Sequence, residues 1–177
     1  MSATAPAMFG IDETLRRAAG GDHDAFAELI REHEAMVFSI ALHFFHDRPR
    51  AEEIAQEVFL QMYRRLSEIE SPAHLTFWLR RVTTHRCIDN HRQTRPRLVA
   101  LDGVTQPEEP DPFLSRRLRA LMLRLPPKQR IVITMRYQED LEPAEIAEIL
   151  GMPANTVKSH LRRGLAALRE WLGRETA

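Results

Sequence analysis

Residues 96–112 read Pro-Arg-Leu-Val-Ala-Leu-Asp-Gly-Val-Thr-Gln-Pro-Glu-Glu-Pro-Asp-Pro. Four prolines remove backbone donors and fix φ, and one glycine and four acids leave little to bury, so neither helix nor strand should run through this window. The chain is therefore expected to fold as two modules, residues 1–95 and 113–177, joined by an exposed, flexible linker over 96–112.

The 177 residues, 44% hydrophobic, suffice for one ordinary domain or two small ones. Glycine is sparse, and Leu, Ala, Arg and Glu recur throughout, which favours helix. No window approaches the roughly 18 to 20 apolar residues of a membrane span. Met1 to Gly10 shows no basic segment followed by an apolar core, so no signal peptide is expected. The single cysteine, Cys87, excludes an intrachain disulfide framework. A reducing, cytoplasmic location fits these features.

Apolar spacing places the helices. Asp22 or Asp24 is a suitable cap for a helix reaching about Phe45, with Phe26, Ile30, Val37, Ile40 and Phe44 on one face and His33 on the same stripe. His46-Asp47-Arg48-Pro49 breaks it. A second helix carries Ile54, Val58, Phe59, Met62 and Leu66 on one side and Glu52, Glu53, Gln56 and Glu57 on the other. A third follows Ser71-Pro72, with Leu75, Trp78, Leu79 and Val82 as its stripe. Beyond Val82 the arginines Arg86, Arg92, Arg95 and Arg97 take over, so this end should face something other than a core. In the second module, Leu118, Leu121, Met122 and Leu125 mark a helix that stops at Pro126-Pro127; Ile131, Val132 and Met135 mark the next. The fold class is all-α.

Residues 143–162 match a helix-turn-helix. Ile146 and Leu150 are apolar on its first helix, Ala147 is small where the helices approach, and Gly151 sits at a turn needing positive φ. Met152, Val157 and Leu161, continued by Leu165, Leu168 and Leu172, form the buried side of the second helix. Asn155, Thr156, Lys158, Ser159, Arg162 and Arg163 remain outside, donors of the kind that reach base edges and phosphates in the major groove.

The net charge is zero, but its distribution is uneven. Residues 1–70 hold 7 basic and 13 acidic side chains, 71–100 hold 6 and 1, 101–112 hold 0 and 4, and 113–177 hold 12 and 7. The two basic blocks coincide with the third helix and the helix-turn-helix module, and a local basic face engages phosphates whatever the total charge.

The run Leu150-Gly151-Met152-Pro153-Ala154-Asn155-Thr156-Val157-Lys158-Ser159-His160-Leu161 resembles the Leu-Gly…Thr-Val-Lys-Ser-Arg-Leu signature of bacterial sigma factors. Leu125-Pro126-Pro127-Lys128-Gln129-Arg130 resembles the start of the same domain. Ala51-Glu52-Glu53-Ile54-Ala55-Gln56-Glu57-Val58-Phe59 is similar to the family's polymerase-docking helix. Phe77-Trp78-Leu79, with Ile88-Asp89 and Arg92, is similar to its promoter-melting helix. The likeness spans nearly the whole chain in the right order, and the short length points to the extracytoplasmic-function group.

The resemblance implies a protein that is not an enzyme and has no catalytic residue, cofactor or metal. It implies a first module that docks on core RNA polymerase through Glu52, Glu53, Gln56, Glu57 and Phe59. The same module would hold the melted downstream (−10) promoter element through Ser71, His74, Trp78, Arg81, His85, Asp89 and Arg92. The loop from Glu68 to His74 would help capture a base turned out of the stack. The second module would read the upstream (−35) element through Asn155, Thr156, Lys158, Ser159, Arg162 and Arg163. Core polymerase, promoter DNA and an anti-sigma factor are the implied partners, with no membrane and no small-molecule substrate. Two positions depart from the pattern: His85 stands where Asn is usual, and His160 where Arg is common. The alternative is a free-standing helix-turn-helix regulator with an unrelated helical sensor domain, although no dimerisation heptad is evident. His43, His46, His85, Cys87 and His91 offer metal-like spacings but no second ligand pair.

Overall fold

The computed structural model describes residues 6–93 and 112–174. The linker expected over 96–112 lies, but for Pro112, outside the described residues. Among those described, the regular structure is helical: α1 (Pro6–Ala19), α2 (His23–Phe45), α3 (Arg48–Arg65), α4 (Pro72–Gln93), α5 (Pro112–Arg124), α6 (Pro127–Tyr137), α7 (Pro143–Leu150) and α8 (Ala154–Arg174), with a 3-10 turn over Leu66–Glu68.

The breaks follow from local chemistry. Asp22 caps α2 by accepting from the backbone N–H groups of Asp24 and Ala25, both at 3.0 Å. Helix α2 ends at His46, which sits in the left-handed region at φ 50°. Asp47 then caps α3 through Arg50 N–H at 3.2 Å. Helix α1 was not marked by the sequence pattern; its Leu15 and Ala18 pack into the first-module core.

The apolar stripe of α2 divides in two. His33, Val37, Ile40 and Phe44 are buried as expected, together with Ala25, Leu29 and Ala41. Phe26 and Ile30 are only partly buried and line an open groove between α2 and α3 with Phe38, Phe59, Leu60 and Tyr63.

The two modules share one hydrophobic core. Val37, Ile40, Phe44, Leu75 and Leu79 of the first belong to the same cluster as Ile131, Met135, Ile146 and Val157 of the second. A smaller cluster, centred on Leu121, Leu125, Ile133 and Leu168, joins α5, α6 and α8. The modules on either side of the proline-rich segment are thus packed together here, because α6 and α7 carry apolar residues that find their cover on α2 and α4.

Arg130 is the hinge of this packing. Pro126 and Pro127 have no N–H to offer the last carbonyls of α5. Arg130, 1% exposed, supplies the donors instead, giving hydrogen bonds to the carbonyl oxygens of Met122 (2.9 Å), Leu123 (2.5 Å) and Leu125 (3.1 Å). It also donates across the module boundary to Phe44 O at 3.2 Å, with its guanidinium 5.0 Å from the Phe44 ring centroid. Burial pulls its pKa down to about 10, so it stays charged at neutral pH.

His46 lies at the same boundary. Burial, then the nearby charges of His43, Arg130 and Arg119, push its pKa down to about 3 from 6.5. A depressed histidine adds stability that is complete above the unfolded value and is lost as pH falls toward the folded one. The melting temperature should therefore decline as pH drops below about 6.5. The variant His46→Asn, which tolerates the left-handed backbone, should show a shallower decline in thermal melts across that range. Parallel curves for parent and variant would contradict the assignment.

Candidate nucleic-acid interface

The second module presents its polar face as the sequence suggests. Pro143 opens α7, and the Glu145 carboxylate accepts from Glu142 N–H at 2.8 Å. Gly151 takes φ 63° and ψ 40°, the left-handed cap that turns α7 into α8. Met152 N–H then donates to Ala147 O at 3.0 Å, and Met152 packs on the core. On α8, Val157, Gly164 and Leu168 are buried. Leu161, Leu165 and Leu172 are partly buried against the smaller cluster.

Gly164 was not singled out from sequence. A Cβ there would stand 2.7 Å from Ile133 Cδ1, so any larger residue would require the tip of Ile133 to shift where α8 crosses α6. Opposite this buried side, Asn155, Thr156, Lys158, Arg162 and Arg163 are exposed, while Ser159 and His160 are partly buried. Burial, with the charges of Lys128 and Arg163, holds the His160 imidazole below its ordinary pKa. The result is a one-sided helix with five accessible polar or cationic side chains.

The start of α4 is fixed by its own candidate residues. Ser71 Oγ accepts from His74 N–H at 3.2 Å, and His74 Nδ1 accepts from Glu70 N–H at 3.3 Å. Ser71 and His74 thus shape the loop before α4. Trp78 is partly buried against the core, His85 is partly buried, Asp89 is exposed, and Arg92 falls on the last turn. Arg81 reaches the second module, donating to Glu148 O at 3.2 Å and Ile149 O at 3.3 Å, the end carbonyls of α7. The neighbouring Arg80 pairs with Glu139 at 3.7 Å. Cys87 is fully buried in the core, where burial pushes its thiol pKa up. Among the described residues, no three His, Cys, Asp or Glu side chains gather as metal ligands would.

The acidic residues of α3 do not share one surface. Glu52, Gln56 and Phe59 line the groove with α2. Glu52 also pairs with Arg48 at 2.9 Å, and Glu53 is exposed. Glu57 turns instead toward α4 and pairs with Arg86 at 3.2 Å; Arg86 also donates to Gln61 Oε1 at 3.2 Å. Leu60 and Tyr63, each 52% exposed, were not singled out from sequence and form the open apolar lip of the groove. Their spacing from Gln56 and Phe59 on the helix was the available signal.

Residues 29–97 match the family described as Sigma-70 region 2, and residues 115–168 match Sigma-70, region 4. The chain is 31% identical over 174 residues to the ECF RNA polymerase sigma factor SigE of Mycolicibacterium smegmatis, covering 90% of this chain and 67% of that protein. It is 29% identical over 180 residues to the ECF RNA polymerase sigma factor SigW of Bacillus subtilis, covering 92% of this chain and 96% of that one. In fold it is similar to CnrH, solved in complex with the cytosolic domain of CnrY: TM-score 0.69 at 21% identity over 93% of this chain and 98% of CnrH. It is also similar to the sigma factor RpoE from Bartonella quintana, solved in complex with the anti-sigma factor NepR: TM-score 0.66 at 16% identity, covering 84% and 96%.

The two family matches, in this order along one chain, place it among sigma-type proteins. The chain belongs to the ECF RNA polymerase sigma factors of the sigma-70 family, the proteins that direct promoter-specific initiation of transcription.

Proposed function

We propose that residues 1–95 act as the polymerase-docking and −10 module, 113–177 as the −35 module, and 96–112 as the connection between them. The family matches over residues 29–97 and 115–168 support these limits. The −35 reader is α8, through Asn155, Thr156, Lys158, Ser159, Arg162 and Arg163. The single observation that carries the reading is its one-sided exposure: a buried seam of Val157, Gly164 and Leu168 with the cationic donors opposite.

The melted −10 strand is held by α4 and its leading loop. Trp78 offers a stacking surface, Arg92 attracts phosphate, as does Arg81 once it leaves the α7 carbonyls that hold it in this structure, and His85 and Asp89 read base edges. Ser71 and His74 contribute by shaping the loop. Polymerase docks on α3 through Glu52, Glu53, Gln56 and Phe59, extended by Leu60 and Tyr63. Glu57 contributes by fixing α4 through Arg86. The protein works in the cytoplasm, where core polymerase and DNA are found; no helix among the described residues is long and apolar enough to cross a membrane. The pairing of the similar RpoE with the anti-sigma factor NepR supports an anti-sigma factor as a further partner.

Run-off transcription with purified core polymerase, with and without this protein, tests the reading. The double variant Leu60→Asp/Tyr63→Asp should bind core polymerase at least about tenfold more weakly, because exposed apolar anchors dominate such contacts. Its circular dichroism should change little, since each side chain is 52% exposed. Parent-like affinity would remove this lip from the docking surface.

A further inference from the structure

Trp78, Arg81, His85 and Asp89 follow one another on α4 at spacings of three and four residues, so they share one face of the helix. This is the stripe assigned above to the melted −10 strand. Its middle member is engaged elsewhere in the folded chain. Arg81 Nη1 donates to Glu148 O at 3.2 Å and to Ile149 O at 3.3 Å, the carbonyl end of α7. A Cβ on Gly151, in the turn between α7 and α8, would stand 3.6 Å from Arg81 Nη2. The turn of the helix-turn-helix therefore sits against the −10 stripe. A guanidinium suits the negative end of a helix dipole, and it suits a DNA phosphate equally. It cannot serve both at once.

A second tie lies next to the first. Arg80 pairs at 3.7 Å with Glu139, whose side chain is 8% exposed. Glu139 lies beside Ser39 and His43 of α2, so the turn between α6 and α7 is held by α2 and α4 together. The promoter elements are named for positions about 25 base pairs apart, roughly 80 Å of duplex at ~3.4 Å per base pair. In the packed chain the two modules touch, so α4 and α8 cannot serve both elements in this arrangement. Residues 94–111 can extend to roughly 60 Å at about 3.4 Å per residue, which with the width of the modules lets them part far enough. Asn155, Lys158 and Arg162 stay exposed while the modules are packed, so packing engages the −10 stripe and leaves the −35 reader open.

We propose that the packed arrangement is an autoinhibited form of the free chain, in which Arg81 against the helix-turn-helix turn and the Arg80–Glu139 pair beside it keep the −10 stripe closed until the modules part. The proposal rests on the assignment of α4 to the −10 strand. Only the parted fraction of the chain can hold the melted strand, so the apparent affinity is reduced by that fraction. Polymerase and promoter together favour the parted form, because only that form reaches both elements.

A covalent lock tests the device in the full chain. Ser39→Cys/Glu139→Cys, bridged by a short bismaleimide with a reductant-cleavable spacer, fixes α2 to the turn between α6 and α7. Cys87, 0% exposed, does not compete for the reagent. The locked chain should support run-off initiation with core polymerase at least about tenfold less well than the parent, and cleaving the spacer should restore it. Glu139→Lys sets two like charges against each other at Arg80 and should enlarge the radius of gyration of the free chain in solution scattering. Arg80→Glu/Glu139→Lys restores an opposite pair and should return it to the parent value. Full initiation by the locked chain, or an unchanged radius for Glu139→Lys, would overturn the proposal alone. No initiation by the parent chain would overturn the underlying assignment and the proposal with it.

Discussion

Replacing Arg130 with methionine should lower the free energy of unfolding by several kcal/mol, about 1–3 kcal/mol for each buried carbonyl left without a donor. The guanidinium serves four carbonyl oxygens, those of Met122, Leu123, Leu125 and Phe44. Methionine fills much of the volume but donates nothing. Pro126 and Pro127 cannot substitute for the lost donors. Arg130→Lys keeps the charge but not the planar fork, and should recover only part of the loss. Since a domain of this kind is stable by about 5–15 kcal/mol, the methionine variant should shift the urea midpoint strongly. A shift equivalent to less than about 1 kcal/mol would mean that water replaces the side chain at little cost. The Phe44 contact crosses the module boundary, so the same substitution should also loosen the packing of α6 on α2, visible as a larger radius of gyration in solution scattering.

The second large effect is expected on transcription rather than stability. Lys158 and Arg162 are exposed on α8, one turn apart, and make no ion pair within the described residues. Lys158→Ala/Arg162→Ala should leave the melting temperature nearly unchanged. A base-edge contact contributes about 1–3 kcal/mol of discrimination, while a phosphate contact mainly sets the salt dependence. The double variant should therefore bind the upstream duplex at least about tenfold more weakly, with a shallower salt slope. Run-off transcription should fall on promoters that depend on the −35 element and change little on those that do not. Equal output from both promoter sets would remove these residues from the recognition surface.

The elements whose signal is local were legible in the chain. Asp22, one of the two aspartates offered for the cap of α2, marks a helix start because a short carboxylate satisfies orphan N–H groups whatever lies beyond. Gly151 marks the helix-turn-helix because its positive φ is costly for any other residue. The exposed stripe Asn155, Lys158, Arg162 follows from helical spacing once Val157 and Leu168 are seen to face inward.

What depended on which surfaces meet was not legible. A period in the sequence tells which residues share a face but not what covers that face. Phe26 and Ile30 sit on the same stripe as Val37 and Phe44, yet only the latter pair is sealed, because α6 packs over that end of α2 and leaves the other open to the groove. Glu52 and Glu57 look alike in sequence, but α4 lies beside only one of them and supplies Arg86. Arg81 reads as a DNA-facing cation, and in the folded chain it is held by the carbonyls of α7. Arg130 carries no mark of burial in the sequence, and its burial was decided by two prolines that leave carbonyls without donors and by a phenylalanine 86 residues earlier. Backbone caps and helical periods are properties of a few consecutive residues, and the sequence determines them directly. The joining of the two modules and the division of α3 into two surfaces arise from contacts between distant segments, and those the tertiary structure alone decided.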